Sequence, residues 1–206
     1  MDIIGFALAV LLIELTPGPN MAWLAGLAAT AGKRVGMAAV TGVALGLVIN
    51  GVLAALGLTA LLHMAPWLWI ALQWTGAAMM VFLAIETWRG AGDPDTAHSA
   101  AATSRRAFAT GALINLLNPK AYVFFVAVAP RFAGGEALSL TSAVTLAMIS
   151  AAIATAVHLI IVSTGARAQS WLADPRRTRL ARRGFALVML AVAASFVLAD
   201  IAGPKA

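Results

Sequence analysis

The sequence contains no cysteine, which excludes disulfides, thiol redox chemistry and thiolate metal sites, and argues against handling of thiols or soft metals. Charge is also scarce. Lys, Arg, Asp and Glu together make up 11% of the 206 residues, against roughly 25% in soluble domains. Only three histidines are present, His63, His98 and His158, too far apart to form a ligand-spaced metal motif. No Ser/His/Asp set, metal pair or cofactor motif stands out, so neither a catalytic residue nor a cofactor is expected. No Lys or Arg precedes Lys33, so a cleavable signal with a basic leader is not expected either.

What fills the chain instead is apolar: 62% of residues are hydrophobic. The composition predicts an all-α membrane protein, a single transmembrane domain over residues 1–206 with no appended soluble domain. Six segments suit crossings: 3–31, 37–62, 66–88, 107–130, 138–165 and 184–202. The run 35–85 holds no charge and is too long for one crossing, and "HMAP" before Trp67 is its natural turn.

The basic residues are distributed unevenly. The first, third and fifth loops carry Lys33, Arg34, Arg89, Arg105, Arg106, Arg167, Arg176, Arg177, Arg179, Arg182 and Arg183, while the opposite side carries Arg131 and Lys205. Basic loops stay cytoplasmic, so both termini are expected outside. A first segment that re-enters without crossing would put the N-terminus inside and leave the later spans unchanged. The net charge of +6 thus reads as membrane orientation, not nucleic-acid binding. Trp67, Trp69 and Trp74 suit an interfacial belt, as Glu86 and Asp200 suit span ends. Gly42 and Gly46 form a small-xxx-small pair for helix packing.

Two apolar segments are interrupted. "ELTPGPNM" (14–21) and "INLLNPKAY" (114–122) place Pro17 and Pro119 about half the chain apart, each followed by a basic loop and two plain spans. Two three-span units result, about 1–88 and 107–206, joined by a flexible linker 89–106; three being odd, the second unit enters the membrane inverted. Paired Pro/Gly-interrupted spans are the sequence pointer to a transporter's binding site. Pro17 and Pro19 remove two backbone donors, and Gly18 permits non-helical backbone. Each unpaired group costs several kcal/mol in hydrocarbon, so the breaks must be buried in protein or line a wet cavity. Asn20, Asn115 and Asn118 can replace some lost hydrogen bonds, and a half-helix starting near Asn20 would aim its positive end at the break.

Glu14 lies 11 residues beyond residue 3 and Lys120 lies 13 beyond residue 107. At 1.5 Å per residue these depths are about 16 and about 20 Å, near mid-bilayer. Each charge unpaired would cost at least ~2.5 kcal/mol on insertion scales. The expectation is that they pair with each other or with the two ends of a zwitterion. Glu14 then reads as a proton carrier or amine anchor and Lys120 as a carboxylate clamp. A structural kink, a neutral buried carboxyl or a plain salt bridge are the competing readings. His158 suits a core histidine or a proton relay equally well.

With "LTPGPN", the "G-K-R-x-G" loop, the "G-x-x-x-G" second span and "N-x-L-N-P-K" in place, the chain resembles the LysE/RhtB family of bacterial amino-acid exporters over essentially its whole length. The resemblance implies an inner-membrane efflux carrier for amino acids or related metabolites, driven by proton antiport, with Thr16, Pro17, Gly18, Pro19, Asn20, Asn115, Asn118, Pro119 and Lys120 as its motif positions. Family members often carry an apolar residue in place of Glu14 and Asp in place of Asn20. The implied partners are an amino-acid-like substrate, protons and the bilayer. A homodimer is entertained without any residue that argues for it, and a passive pore using the same cavity is the alternative.

Overall fold

A computed structural model of the chain describes residues 1–16, 18–54, 56, 65–89, 100–132, 140–168 and 174–201. The described residues are helical, without strands. In order they are α1 (Ile3–Leu15), α2 (Pro19–Ala31), α3 (Lys33–Leu53), α4 (Pro66–Arg89), α5 (Ala100–Leu116), α6 (Pro119–Val123), a π-helical turn (Phe124–Val128), α7 (Ala129–Phe132), α8 (Leu140–Arg167) and α9 (Pro175–Ile201).

Several boundaries differ from the sequence reading. Helix α5 begins at Ala100, so part of the expected linker is helical, and residues 90–99 lie outside the described set. Helix α9 begins at Pro175, within the expected fifth loop, because the side chain of Asp174 caps the N–H of Arg176 at 2.8 Å and proline suits the first helical turn. The end of the second span and the "HM" of its turn lie outside the described residues, but Pro66 does open α4.

Among the described residues three helices are long and apolar enough to cross a membrane: Lys33–Leu53, Trp67–Arg89 and Leu140–Arg167. The pair Ile3–Leu15 and Pro19–Ala31, bent by 58° at its break, makes a fourth if counted as one span. Between α2 and α3 the chain turns on Gly32 alone, whose φ of 89° lies in the region that glycine adopts without strain.

Helix α3 is central, packing on α5 and α8. Its contact with α5 is backbone-close. A Cβ on Gly42 would meet the Phe108 carbonyl oxygen at 2.0 Å, and one on Gly111 the Ala39 carbonyl oxygen at 2.4 Å. Small residues allow this approach, which is the packing role read from Gly42 and Gly46. Helix α1 runs beside the segment 119–132: Asp2 N–H donates to the Phe132 carbonyl at 2.9 Å, and the Phe6 ring packs tilted against Phe124 with centroids 5.3 Å apart. Two apolar clusters result. One joins Trp23, Val40, Met80, Ile114 and Met189. The other joins Phe6, Val10, Phe125, Leu146 and Ala151.

Candidate functional site

Both interruptions are real helix breaks, and their lost hydrogen bonds are replaced in parallel ways. In an unbroken helix the N–H of residue 17 would donate to the Ile13 carbonyl, and that of residue 119 to the Asn115 carbonyl. Proline has no N–H to give. At the first break the Ile13 carbonyl accepts instead from Thr16 N–H at 3.1 Å and from the Lys120 ammonium. At the second, the Asn115 carbonyl accepts from Asn118 N–H at 3.1 Å and from Asn50 Nδ2 at 3.0 Å. Thr16 turns its hydroxyl back onto the Leu12 carbonyl at 3.0 Å.

The incoming ends therefore correspond as Ile13 to Asn115 and Thr16 to Asn118, the register that pairs Pro17 with Pro119. The outgoing helices restart differently. Pro19 and Pro119 each occupy the first turn of the next helix, after the extended residues Gly18 and Asn118. Between helix ends the first break covers residues 16–18 and the second 117–118, so the first is one residue longer. Pro17 itself lies outside the described residues. Asn118 caps the Lys120 N–H at 3.1 Å, whereas Gly18 offers no side-chain cap at the start of α2.

A small cavity, open at one mouth, lies between the breaks. Its lining includes Glu14, Gly18, Pro19, Asn20, Asn115, Asn118, Lys120 and His158. Of the sequence-selected residues Thr16 is not in this lining; it is exposed and acts through its carbonyl, which accepts from Lys120 Nζ at 3.0 Å. Across the cavity Asn20 Nδ2 donates to Asn115 Oδ1 at 2.9 Å, joining the two breaks a second time.

Of the two arrangements expected for the charges, the direct ion pair of Glu14 with Lys120 is not formed; the Lys120 ammonium bonds the carbonyls of Ile13 and Thr16. The physical reason is local: the carbonyls freed at the end of α1 are strong acceptors within reach, and a partly buried ammonium needs several. Glu14 Oε2 instead faces His158 Nε2 at 3.5 Å, where the histidine is 1% exposed. Two of the three ammonium protons are used on carbonyls, which leaves one for an anionic group in the cavity.

Two polar residues were missed. Asn50 is fully buried and closes the second break, and Ser150 lines the cavity with its hydroxyl unpaired. For Asn50 the available signal was simple, a lone Asn inside a largely apolar span, where buried polar groups need partners; Ser150 is one of several Ser and Thr residues in its span, and nothing in the sequence singles it out. Phe124 and Phe125 also line the cavity, from a π-helical turn that no periodicity announces. No group of His, Cys, Asp or Glu among the described residues could hold a metal ion.

Residues 11–200 match the family model described as LysE type translocator. The chain is 32% identical over 187 residues to an uncharacterized membrane protein of Pseudomonas aeruginosa, covering 87% of this chain and 86% of that one. It is 28% identical over 191 residues to the homoserine/homoserine lactone efflux protein of Salmonella typhimurium, covering 92% and 93%. It is also 28% identical over 125 residues to the threonine efflux protein of Escherichia coli, covering 58% and 61%. No solved structure matches the chain. The paired breaks, the cavity they share and a family match over nearly the whole sequence lead to one conclusion: the chain belongs to the LysE type translocators.

Proposed function

We propose that the chain is an exporter in the bacterial inner membrane, moving small zwitterionic amino acids or related metabolites outward by alternating access and proton antiport. The observation that carries this is Lys120, which starts the helix after one break and holds the carbonyls of the other across a shared cavity. A substrate carboxylate competing for that ammonium would loosen one half from the other, which ties binding to motion.

Six crossings in two inverted units form the framework of this reading, with basic loops cytoplasmic and both termini periplasmic. The helix pairing supports it. Exchanging spans one and four, two and five, and three and six turns the α3–α5 contact into that of α8 with α1 and α2. The same exchange relates α2–α9 to α4 with α5 and α6, and leaves α3–α8 and α4–α9 unchanged.

In this mechanism Lys120 receives the substrate carboxylate together with the backbone N–H groups at the start of α2, which has no side-chain cap. Glu14 takes the substrate ammonium or a proton in alternation, with His158 as its relay partner. Asn20 and Asn115 form the gate between the breaks. The efflux relatives point to hydroxylated amino acids as the first probes. In proteoliposomes, threonine or homoserine loaded inside should drive counterflow by the wild-type protein. Lys120→Ala should insert normally and lose it; full counterflow by that variant would remove the clamp.

A further inference from the structure

Helices α4 and α9 pack together but contribute nothing to the cavity between the breaks. Between them runs an apolar groove. One stretch, open along its length, is lined by Trp74, Phe82, Ile85, Leu190 and Leu198. A second shares Ile85 and Leu190 and continues to Trp88 and Arg89. Trp74, Phe82 and Leu198 are each more than half exposed, at 56%, 54% and 59%. At the Arg89 end the Arg183 guanidinium sits 5.1 Å above the Trp88 ring. Both arginines are exposed.

We propose that this groove binds an anionic diacyl phospholipid, with its phosphate between Arg89 and Arg183 and an acyl chain along the α4–α9 seam. The chemistry is graded as a lipid is: cationic and aromatic at one end, apolar along the rest. The length fits. From Trp74 to Trp88 the helix rises about 21 Å, more than the ~15 Å depth of one leaflet. A second copy of the chain fits worse. Two copies related by a twofold axis along the membrane normal would meet at equal depth, setting Arg89 and Arg183 against themselves.

Native mass spectrometry of the full chain in mild detergent, with equal amounts of phosphatidylglycerol and phosphatidylcholine of matched acyl chains, tests this. Two arginines near a phosphate predict a preference of roughly thirtyfold for the anionic lipid. R89Q/R183Q should retain both lipids equally, and filling the groove with A78F/A194F should reduce retention of both. Equal retention by the wild type, or an unchanged preference in R89Q/R183Q, overturns the proposal. Loss of a dimeric species in A78F/A194F would make a second copy the occupant and overturn it too. Should A78F/A194F fail to fold, the exposed arginine pair decides alone.

Discussion

Lys120 Nζ donates to the carbonyl oxygens of Ile13 and Thr16, 107 and 104 residues away in the chain. One side chain thereby closes the end of one broken helix while standing at the start of the other. Charged-donor hydrogen bonds contribute about 1.5–3 kcal/mol each. Lys120→Met, which keeps the length and loses the donors, should therefore lower the thermal midpoint in detergent as well as transport. An unchanged midpoint would show that water serves those carbonyls equally well.

At the second break the same task falls to Asn50, whose amide donates to the Asn115 carbonyl. Asn50→Leu should cost about 0.5–1.5 kcal/mol, the usual net value of a neutral hydrogen bond. Pro119→Ala restores the N–H that an unbroken helix would direct at that carbonyl, so the double variant should recover part of the loss. A double-mutant cycle measures this, and strictly additive effects would contradict the replacement described here.

The breaks and their prolines could be read directly, because proline's missing N–H is visible in the letters. The partners that repair the breaks could not. Nothing local in "LVINGVL" says that Asn50 meets residue 115, nor does the first break say that Lys120 is what meets its freed carbonyls. Span ends followed turn chemistry well at Pro66 and less well at Ala100 and Pro175, where polar, charged helix looks like loop to a hydropathy reading. The Glu14–His158 approach joins residues on α1 and α8, and only packing could reveal it.

Glycine positions give a paired stability test. Gly42→Ala drives its Cβ toward the Phe108 carbonyl and should cost about 1–3 kcal/mol, as overpacking does. Gly184 sits within α9 with nothing within 4 Å, so Gly184→Ala should stabilise by about 0.5–1 kcal/mol through helix propensity. Thermal unfolding of the two variants should move in opposite directions, and movement together would argue against the close α3–α5 crossing.

Glu14→Gln keeps the size of the side chain and removes its charge. On the antiport reading, substrate-for-substrate counterflow should persist while uphill efflux driven by a proton gradient falls at least tenfold, the size of a coupling step of about 1.4 kcal/mol. Comparing the two assays in one preparation separates coupling from binding. Gradient-driven efflux at wild-type rate would remove Glu14 from the proton path.

The most direct measurement uses the absence of native cysteine. Ser150 is 3% exposed and lines the cavity beside the two breaks. A Ser150→Cys protein carries a single thiol at that depth. If a wet substrate path joins the breaks, a water-soluble maleimide should label this thiol in membrane vesicles, and threonine or homoserine should slow the labelling. A thiol that stays unlabelled from both sides while the protein transports would contradict the account.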